Sequence, residues 1–416
     1  MLCATFGLLP LLAHFAPTQL TLLLLVAAVA LLALNPSAIV LLGADRWVAA
    51  CLAAILALSL LSAFWAVDPG RALDRGVRLI FELAAGLFLA ICAGRIAAAD
   101  RRPGLVLLVG ILAFGAIFAL DALSGAAISR ASRTILGLRA PPVAAELNQP
   151  ETLLALLAWP AVVLLIARGY RLAALGLCAG VLFALAHSTG GVGLLAFAGG
   201  LAVAAIALAA PRLAAGLLAA ALIASVTAGP WFLRGVDRVD TVTAELAATA
   251  TAHPGASSPL YGAAHRLYIW HFAASRIAEH PLRGWGLEAS RAMPGGKQTA
   301  AAAIGVADKP DMDPELKRYL AGGEIMPLHP HNASLQILME LGYPGGLAWL
   351  ALGLLLLWRA AALPVPRAVA ASVLGMLGTA LAVLHFSYGI WQSWWLAALF
   401  LAASAMQAAL AAAMRS

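Results

Sequence analysis

The densest run of chemically capable side chains is 328–346, LHPHNASLQILMELGYPGG. His329 and His331 stand just before Asn332, and Asn332 or Ser334 is of the type that caps a helix start. A helix start offers free N–H groups and the positive end of the helix dipole, which suits an anion such as a phosphate. A histidine placed there is a natural general base near neutral pH. Gln336 and Glu340 follow four residues apart, on one helix face. The run they belong to is long and apolar enough to span a bilayer, so Glu340 would be an ionisable group inside the membrane. Such a group marks either a functional site or a buried pair. His329, Gln336 and Glu340 are therefore candidate substrate contacts around a histidine base.

An anionic substrate calls for fixed cations, and the planar fork of arginine fits phosphate oxygens. Four arginines are candidates: Arg266, Arg139, and the pair Arg75 and Arg78. Arg266 lies in 264–279, AHRLYIWHFAASRIAE, whose apolar positions recur at helical spacing. Arg78 and Glu82 are four residues apart, which predicts an ion pair between them. No metal is expected. Asp308, Asp311, Asp313 and Glu315 alternate with Pro310 and Pro314 and lack the glycine and final glutamate of a calcium loop, so they read as a solvated segment. There is no Walker-type phosphate loop, and no cofactor is expected. The four cysteines, Cys3, Cys51, Cys92 and Cys178, lie in apolar stretches without metal spacing and read as small core residues.

The elements that must position these groups follow from composition. The 416 residues are 63% hydrophobic and 11% charged, where a soluble domain carries roughly 25% charge. No soluble domain hides so much apolar surface, so the lipid bilayer is the solvent. The formal net charge of +7 then reads as a topology signal rather than as affinity for nucleic acid. A spanning helix needs roughly 20 apolar residues. Spans are predicted at 2–16, 18–34, 46–65, 74–94, 104–123, 150–167, 171–187, 191–209, 212–230, 332–358, 367–386 and 389–413. The first lacks a preceding Lys or Arg and reads as a membrane helix rather than a cleaved signal. Apolar runs of this length are helices, and the alternation of a β-barrel is absent. The expected fold is an all-α polytopic membrane protein of about twelve transmembrane helices.

With the N-terminus inside, the short cytoplasmic loops hold Arg46, Arg95, Arg101, Arg102, Arg168, Arg171, Arg212, Arg359 and Arg367, against Asp45 and Asp100. That asymmetry places both termini in the cytoplasm. Two external segments break the pattern: 124–149, which contains Arg139, and the large loop 231–331, which contains amphipathic helices. The chain thus divides into helices one to nine (1–230), the large loop (231–331) and helices ten to twelve (332–416). The aromatic run 385–395, HFSYGIWQSWW, is expected to form an interfacial anchor belt.

Three segments together resemble the O-antigen ligase and polymerase superfamily. In 329–346 a histidine followed by Asn opens a helix containing Leu-Gln and Glu-x-Gly. In 266–290, RLYIWHFAASRIAEHPLRGWGLEAS, an Arg before Ile-Trp is followed by His-Pro-x-x-Gly-x-Gly. In 62–79, SAFWAVDPGRALDRGVRL, the pattern is Ser-x-x-Trp-x-x-x-Pro. One departure stands out: 186–193 reads AHSTGGVG where family members often have Ser-Arg-Gly.

The resemblance implies an enzyme of the bacterial inner membrane whose active site faces the periplasm. Its reaction would move O-antigen glycan from undecaprenyl diphosphate to a sugar of lipid A-core, without metal or nucleotide. It implies His331 as catalytic base, since only His331 directly precedes Asn, and Arg266 as a diphosphate contact. An O-antigen polymerase or a protein O-glycan ligase would share the donor. A secondary transporter is the reading from another class, suggested by Asp121, Glu82, Arg78 and Glu340 within spans. Against it stand the lack of repeat symmetry and the long external loop. The sequence leaves the oligomeric state open.

Overall fold

The computed structural model describes residues 1–43, 45–137, 143–188, 190–253 and 257–415. It is 81% helical, and among the described residues there is no sheet, only an isolated bridge between Thr299 and Glu324. The first half of the chain holds α1 (Leu2–Phe15), α2 (Leu20–Leu34), α3 (Arg46–Leu61), α4 (Pro69–Ala99), α5 (Arg102–Leu123), the short α6 (Ala127–Ile135), α7 (Val143–Ala167), α8 (Arg171–Ala186), α9 (Val192–Ala209) and α10 (Pro211–Val226). After α10 come α11 (Ala228–Leu233), α12 (Val236–Ala252), α13 (Ser257–Glu279), α14 (Ala300–Ala303) and α15 (Pro314–Ala321). The chain ends with α16 (Ala333–Ala361), α17 (Arg367–Phe386) and α18 (Ser393–Ala413). Among the described residues nine helices are long and apolar enough to cross a membrane, and α1, α8 and α10 are shorter apolar helices. Every expected span is thus helical, and the protein is a multi-pass membrane protein.

α7 runs through the middle of the bundle, with residues 150–165 all buried, as expected for a helix apolar on every side. Around it the helices approach through small residues, which is how helices pack in lipid. A Cβ on Gly375 of α17 would meet the Trp159 ring of α7, and one on Gly378 would meet Gly200 and Val203 of α9. The Trp159 indole donates to Thr379 Oγ1 at 2.9 Å, so the polar tip of this ring is satisfied inside the core.

The amphipathic helix expected over 264–279 forms as the larger part of α13. Its Ala264, Tyr268, Ile269, Ala273 and Ile277 are buried. Within the acidic segment the chain forms α15, capped by Asp313, whose carboxylate accepts from Leu316 N–H. α12 has no counterpart in the sequence reading, because its VDRVDTVTAELAATATA is only weakly apolar. It packs on α13 around Val239, Ala247 and Tyr268.

α16 is broken. Gly342 has φ 68 and ψ −172, a backbone state that favours glycine. Pro344 follows, and a proline has no N–H to give the helix ladder. The turn 280–286, HPLRGWG, fills the break. Trp285 and Gly286 donate N–H to the freed carbonyls of Met339 and Glu340, and Tyr343 N–H donates to Pro281 O at 2.8 Å. Gly286 (φ 93) allows this turn to pass Ala66, where a Cβ would overlap backbone.

Two expectations are corrected. Glu82 pairs with Arg75 rather than with Arg78: Arg75 Nη1 and Nη2 reach its two oxygens at 3.0 and 2.7 Å. Arg78 turns back to Asp74 instead. The reason is burial, since Arg75 and Glu82 both face the bundle while Arg78 and Asp74 lie on the exposed side. The aromatic run is also no exposed belt. Tyr388, Trp391, Trp394 and Trp395 are buried, and Tyr388 donates its hydroxyl to Asn148 O at 2.9 Å.

Candidate active site

The three segments that carry the resemblance meet at one end of the bundle. The Trp65 indole donates to Arg283 O at 3.0 Å, Val67 N–H to Trp285 O at 3.1 Å, and Leu287 N–H to Ser62 Oγ at 2.9 Å. The turn 280–286 therefore touches 62–67 on one side and the α16 break on the other.

Glu340 is the centre of this junction. It is fully buried, and its carboxylate accepts from Glu288 N–H (2.8 Å), Ser290 N–H (3.3 Å), Ser290 Oγ (2.5 Å), Gln336 Nε2 (3.2 Å) and Trp391 Nε1 (2.7 Å). Gln336 spends its carbonyl on Ile390 N–H at 3.0 Å. These two residues, expected as substrate contacts, are thus engaged with the protein itself and tie separate chain segments together. Removing the carboxylate leaves several buried donors unpaired, each costing about 1–3 kcal/mol. Glu340→Ala is accordingly expected to lower the thermal unfolding midpoint strongly and to cut the yield of folded protein. The check is unfolding of the detergent-purified variant; an unchanged midpoint would refute the structural role.

Asn332 caps α16 as expected, its Oδ1 accepting from Leu335 N–H at 3.1 Å. Just before it, the HPH turn is fixed by the Trp270 indole, which donates to Pro330 O at 2.8 Å. His331 has φ 56. Among the described residues only three non-glycine residues have positive φ, and His331 and Glu288 are two of them. Such strain persists where the surroundings over-determine it, as at functional sites.

The two histidines hold opposite tautomers. His331 Nδ1 lies 2.5 Å from Ser387 O. A carbonyl can only accept, so Nδ1 carries the proton and Nε2 keeps its lone pair. Nε2 has no partner among the described residues and is not sealed from solvent. His329 Nδ1 instead accepts the His331 backbone N–H at 3.2 Å, so its proton sits on Nε2. His331 is therefore equipped to take a proton and His329 to give a hydrogen bond.

Burial lowers the His331 pKa to about 4, helped by the Arg266 charge and opposed by the Ser387 hydrogen bond. Burial also lowers His329 to about 3, with His331, Arg291 and Arg266 adding to the effect. Both rings are neutral at pH 7. Because both folded values lie below the ordinary 6.5, the unfolded chain binds these protons first. Their contribution to stability is complete above pH 6.5 and is lost as the pH falls toward 4 and then 3. The unfolding midpoint is expected to decline over that window, and less steeply in His331→Asn; equal slopes in the two proteins would refute the linkage.

Arg266 is half-buried on α13, and its charge is felt at His265, His329 and His331. No hydrogen bond or carboxylate engages it among the described residues. Arg75 is buried against Glu82 and also donates to Ser393 Oγ at 2.8 Å, while Arg78 is exposed. Arg139 lies outside the described residues. The structure thus brings His329, His331 and Arg266 together. It adds Arg291, a cation paired with Glu288 whose charge reaches His329. Sequence reasoning missed Arg291, because the Glu288–Arg291 spacing signals only a local pair. At the departure 186–193, Glu151 takes the local donors: Ser188 Oγ at 2.7 Å and Gly193 N–H at 3.1 Å. Among the described residues no group of three His, Cys, Asp or Glu is placed to hold a metal ion.

Fold and site define a multi-pass helical membrane protein with a histidine–arginine cluster where its largest loop meets the bundle. Residues 156–350, a little under half of the chain, match the family model described as O-antigen ligase, and over that stretch the chain is similar to that family. It is similar to proteins provisionally named polysaccharide ligases. A Rickettsia conorii protein is 27% identical over 323 residues, 74% of this chain and 68% of that protein. A Rickettsia felis protein is 26% identical over 344 residues, 81% and 74% of the two chains. A Rickettsia prowazekii protein is 33% identical over 142 residues, 32% of this chain and 29% of that one. No solved structure matches the chain.

Proposed function

We propose that this protein transfers O-antigen glycan from undecaprenyl diphosphate to a sugar hydroxyl of lipid A-core, at the periplasmic face of a bacterial inner membrane. The observation that carries the reading is Arg266, without a carboxylate partner among the described residues, whose field reaches His331, whose Nε2 has no partner among them either. In the reaction the acceptor oxygen attacks the anomeric carbon. Its proton passes to His331 Nε2, and the bond from that carbon to the diphosphate oxygen breaks. The electron pair leaves with the diphosphate, and Arg266 stabilises the added charge. Preorganised charge of this kind supplies most of the rate enhancement in many enzymes, and holding both lipids in one site supplies much of the rest. His329 contributes a hydrogen bond from Nε2. Of the remaining arginines, Arg139 belongs to the second external loop and stands as a further donor contact.

The test is complementation. Expressed in a Gram-negative strain lacking its own ligase, the protein is expected to restore ladder-bearing lipopolysaccharide. Verified expression with compatible core sugars and no ladder would overturn the reading. Growth of glycan chains on the lipid carrier alone would instead indicate a polymerase, and glycan on exported protein a protein O-glycan ligase.

A further inference from the structure

A second cationic cleft lies beside the first site. It has a volume of about 490 Å³ and is formed by the start of α4, the turn before α2 and the turn before α18. Arg71, Arg75, Arg78 and Arg291 line it, together with two carboxylates, Asp74 and Glu288. Each guanidinium keeps unused N–H groups. Arg71 and Arg291 spend only Nε on Asp68 and Glu288, and Arg78 spends Nε and Nη2 on Asp74. Two buried polar atoms of the lining have no partner among the described residues: Arg75 Nε, on a side chain only 7% exposed, and Thr21 Oγ1. A buried guanidinium N–H without an acceptor points to a ligand that supplies one.

Trp391 lines this cleft and also a second cavity of about 680 Å³. That cavity is an apolar crevice between α3, α4, α16, α17 and α18. Along α18 its lining runs from Leu396 through Phe400, Ala403 and Gln407 to Ala411, which at the helical rise is about 22 Å. An arginine-lined cleft that shares the Trp391 wall with a long apolar crevice has the chemistry of a lipid with a phosphorylated head.

We propose that the cleft holds the phosphorylated headgroup of the acceptor lipid, with its chain in the crevice beyond Trp391. The assignment rests on the transferase reading above. Arg266, bound by no carboxylate among the described residues, is left for the charge that develops on the leaving diphosphate. The cleft arginines are each partly neutralised by Asp68, Glu82, Asp74 or Glu288. That suits steady binding of a phosphate whose charge does not change during the reaction, because such binding need not strengthen in the transition state.

The test uses the full chain in lipid nanodiscs, with lipid A and its dephosphorylated form as probes. Wild-type protein is expected to bind the phosphorylated form about tenfold more tightly or better, through charge-assisted bonds. In Arg71→Gln/Arg78→Gln the two forms are expected to bind alike. Both side chains are exposed, 49% and 62%, so the double variant keeps the fold. In transfer assays the same variant is expected to raise the KM for the acceptor and leave the KM for the donor in place. Equal binding of the two lipids by wild type, or undiminished discrimination in the variant, would overturn the proposal. A shift in the donor KM alone would overturn it as well, by giving the cleft to the donor. Discrimination that disappears in the variant, in a protein with no transfer activity, would overturn the transferase reading and keep the cleft as a lipid-phosphate site.

Discussion

Replacing His331 with asparagine is expected to slow glycan transfer by roughly 10²–10⁴-fold, the usual contribution of a positioned general base. Asparagine is the informative substitute because the backbone at 331 is left-handed, a state that asparagine tolerates better than alanine does. A loss of activity then reports the missing base rather than a distorted turn. The matching change at 329, His329→Asn, is expected to be milder. His329 offers an N–H at Nε2 and no lone pair, so it can hold an oxygen but cannot deprotonate one. The measurement is transfer rate with purified donor and acceptor, beside thermal unfolding of each variant. Rates of His331→Asn within tenfold of wild type would remove His331 from the base role. A larger loss at 329 than at 331 would exchange the two assignments.

The parts of this site visible in the sequence are those whose geometry is local. An apolar run of twenty residues in a bilayer has one backbone solution, so the spans could be placed from composition alone. Asn332 could be read as a cap because a cap and its N–H lie three residues apart. The ion pair at Arg75 could not, because its partner sits seven residues on, and two candidate pairings differed only in which face of α4 is buried. Glu340 was visible as an anomaly and opaque as to purpose. Apart from Gln336, four residues back, its donors come from 288–290 and from Trp391, each some fifty residues away, and spacing carries no information over that range. The glycine of the Glu-x-Gly signature has a local cause that only the structure gives: it breaks α16 and admits the turn 280–286. The tautomers of the two histidines were likewise beyond sequence, since one is set by a carbonyl at Ser387 and the other by the backbone of the neighbouring histidine itself.

Changing Arg266 to glutamine is expected to cost transfer roughly 10²–10³-fold, the range seen when one preorganised donor to a developing charge is lost. A second, independent effect follows from its field. Arg266 lowers the pKa of His331, so its removal raises that pKa, and the acid limb of the pH–rate profile moves to higher pH. Donor binding acts in the same direction, because the diphosphate offsets the Arg266 charge. In wild type the acid limb of kcat, which reports the complex, should therefore lie above that of kcat/KM, which reports the free enzyme. In Arg266→Gln both limbs should move to higher pH, since the donor anion still raises the His331 pKa in the complex while the opposing arginine charge is gone. Arg266→Lys divides the two contributions. An ammonium keeps the field and loses the planar fork, so the limbs stay near their wild-type positions while the rate falls. Limbs that do not move in Arg266→Gln would place Arg266 outside the electrostatic reach of the base. Full activity in Arg266→Lys would show that the diphosphate is held by charge alone. A slow lysine variant with unmoved limbs would assign the two functions of this residue to two properties of one side chain, its charge for tuning His331 and its fork for gripping the leaving group.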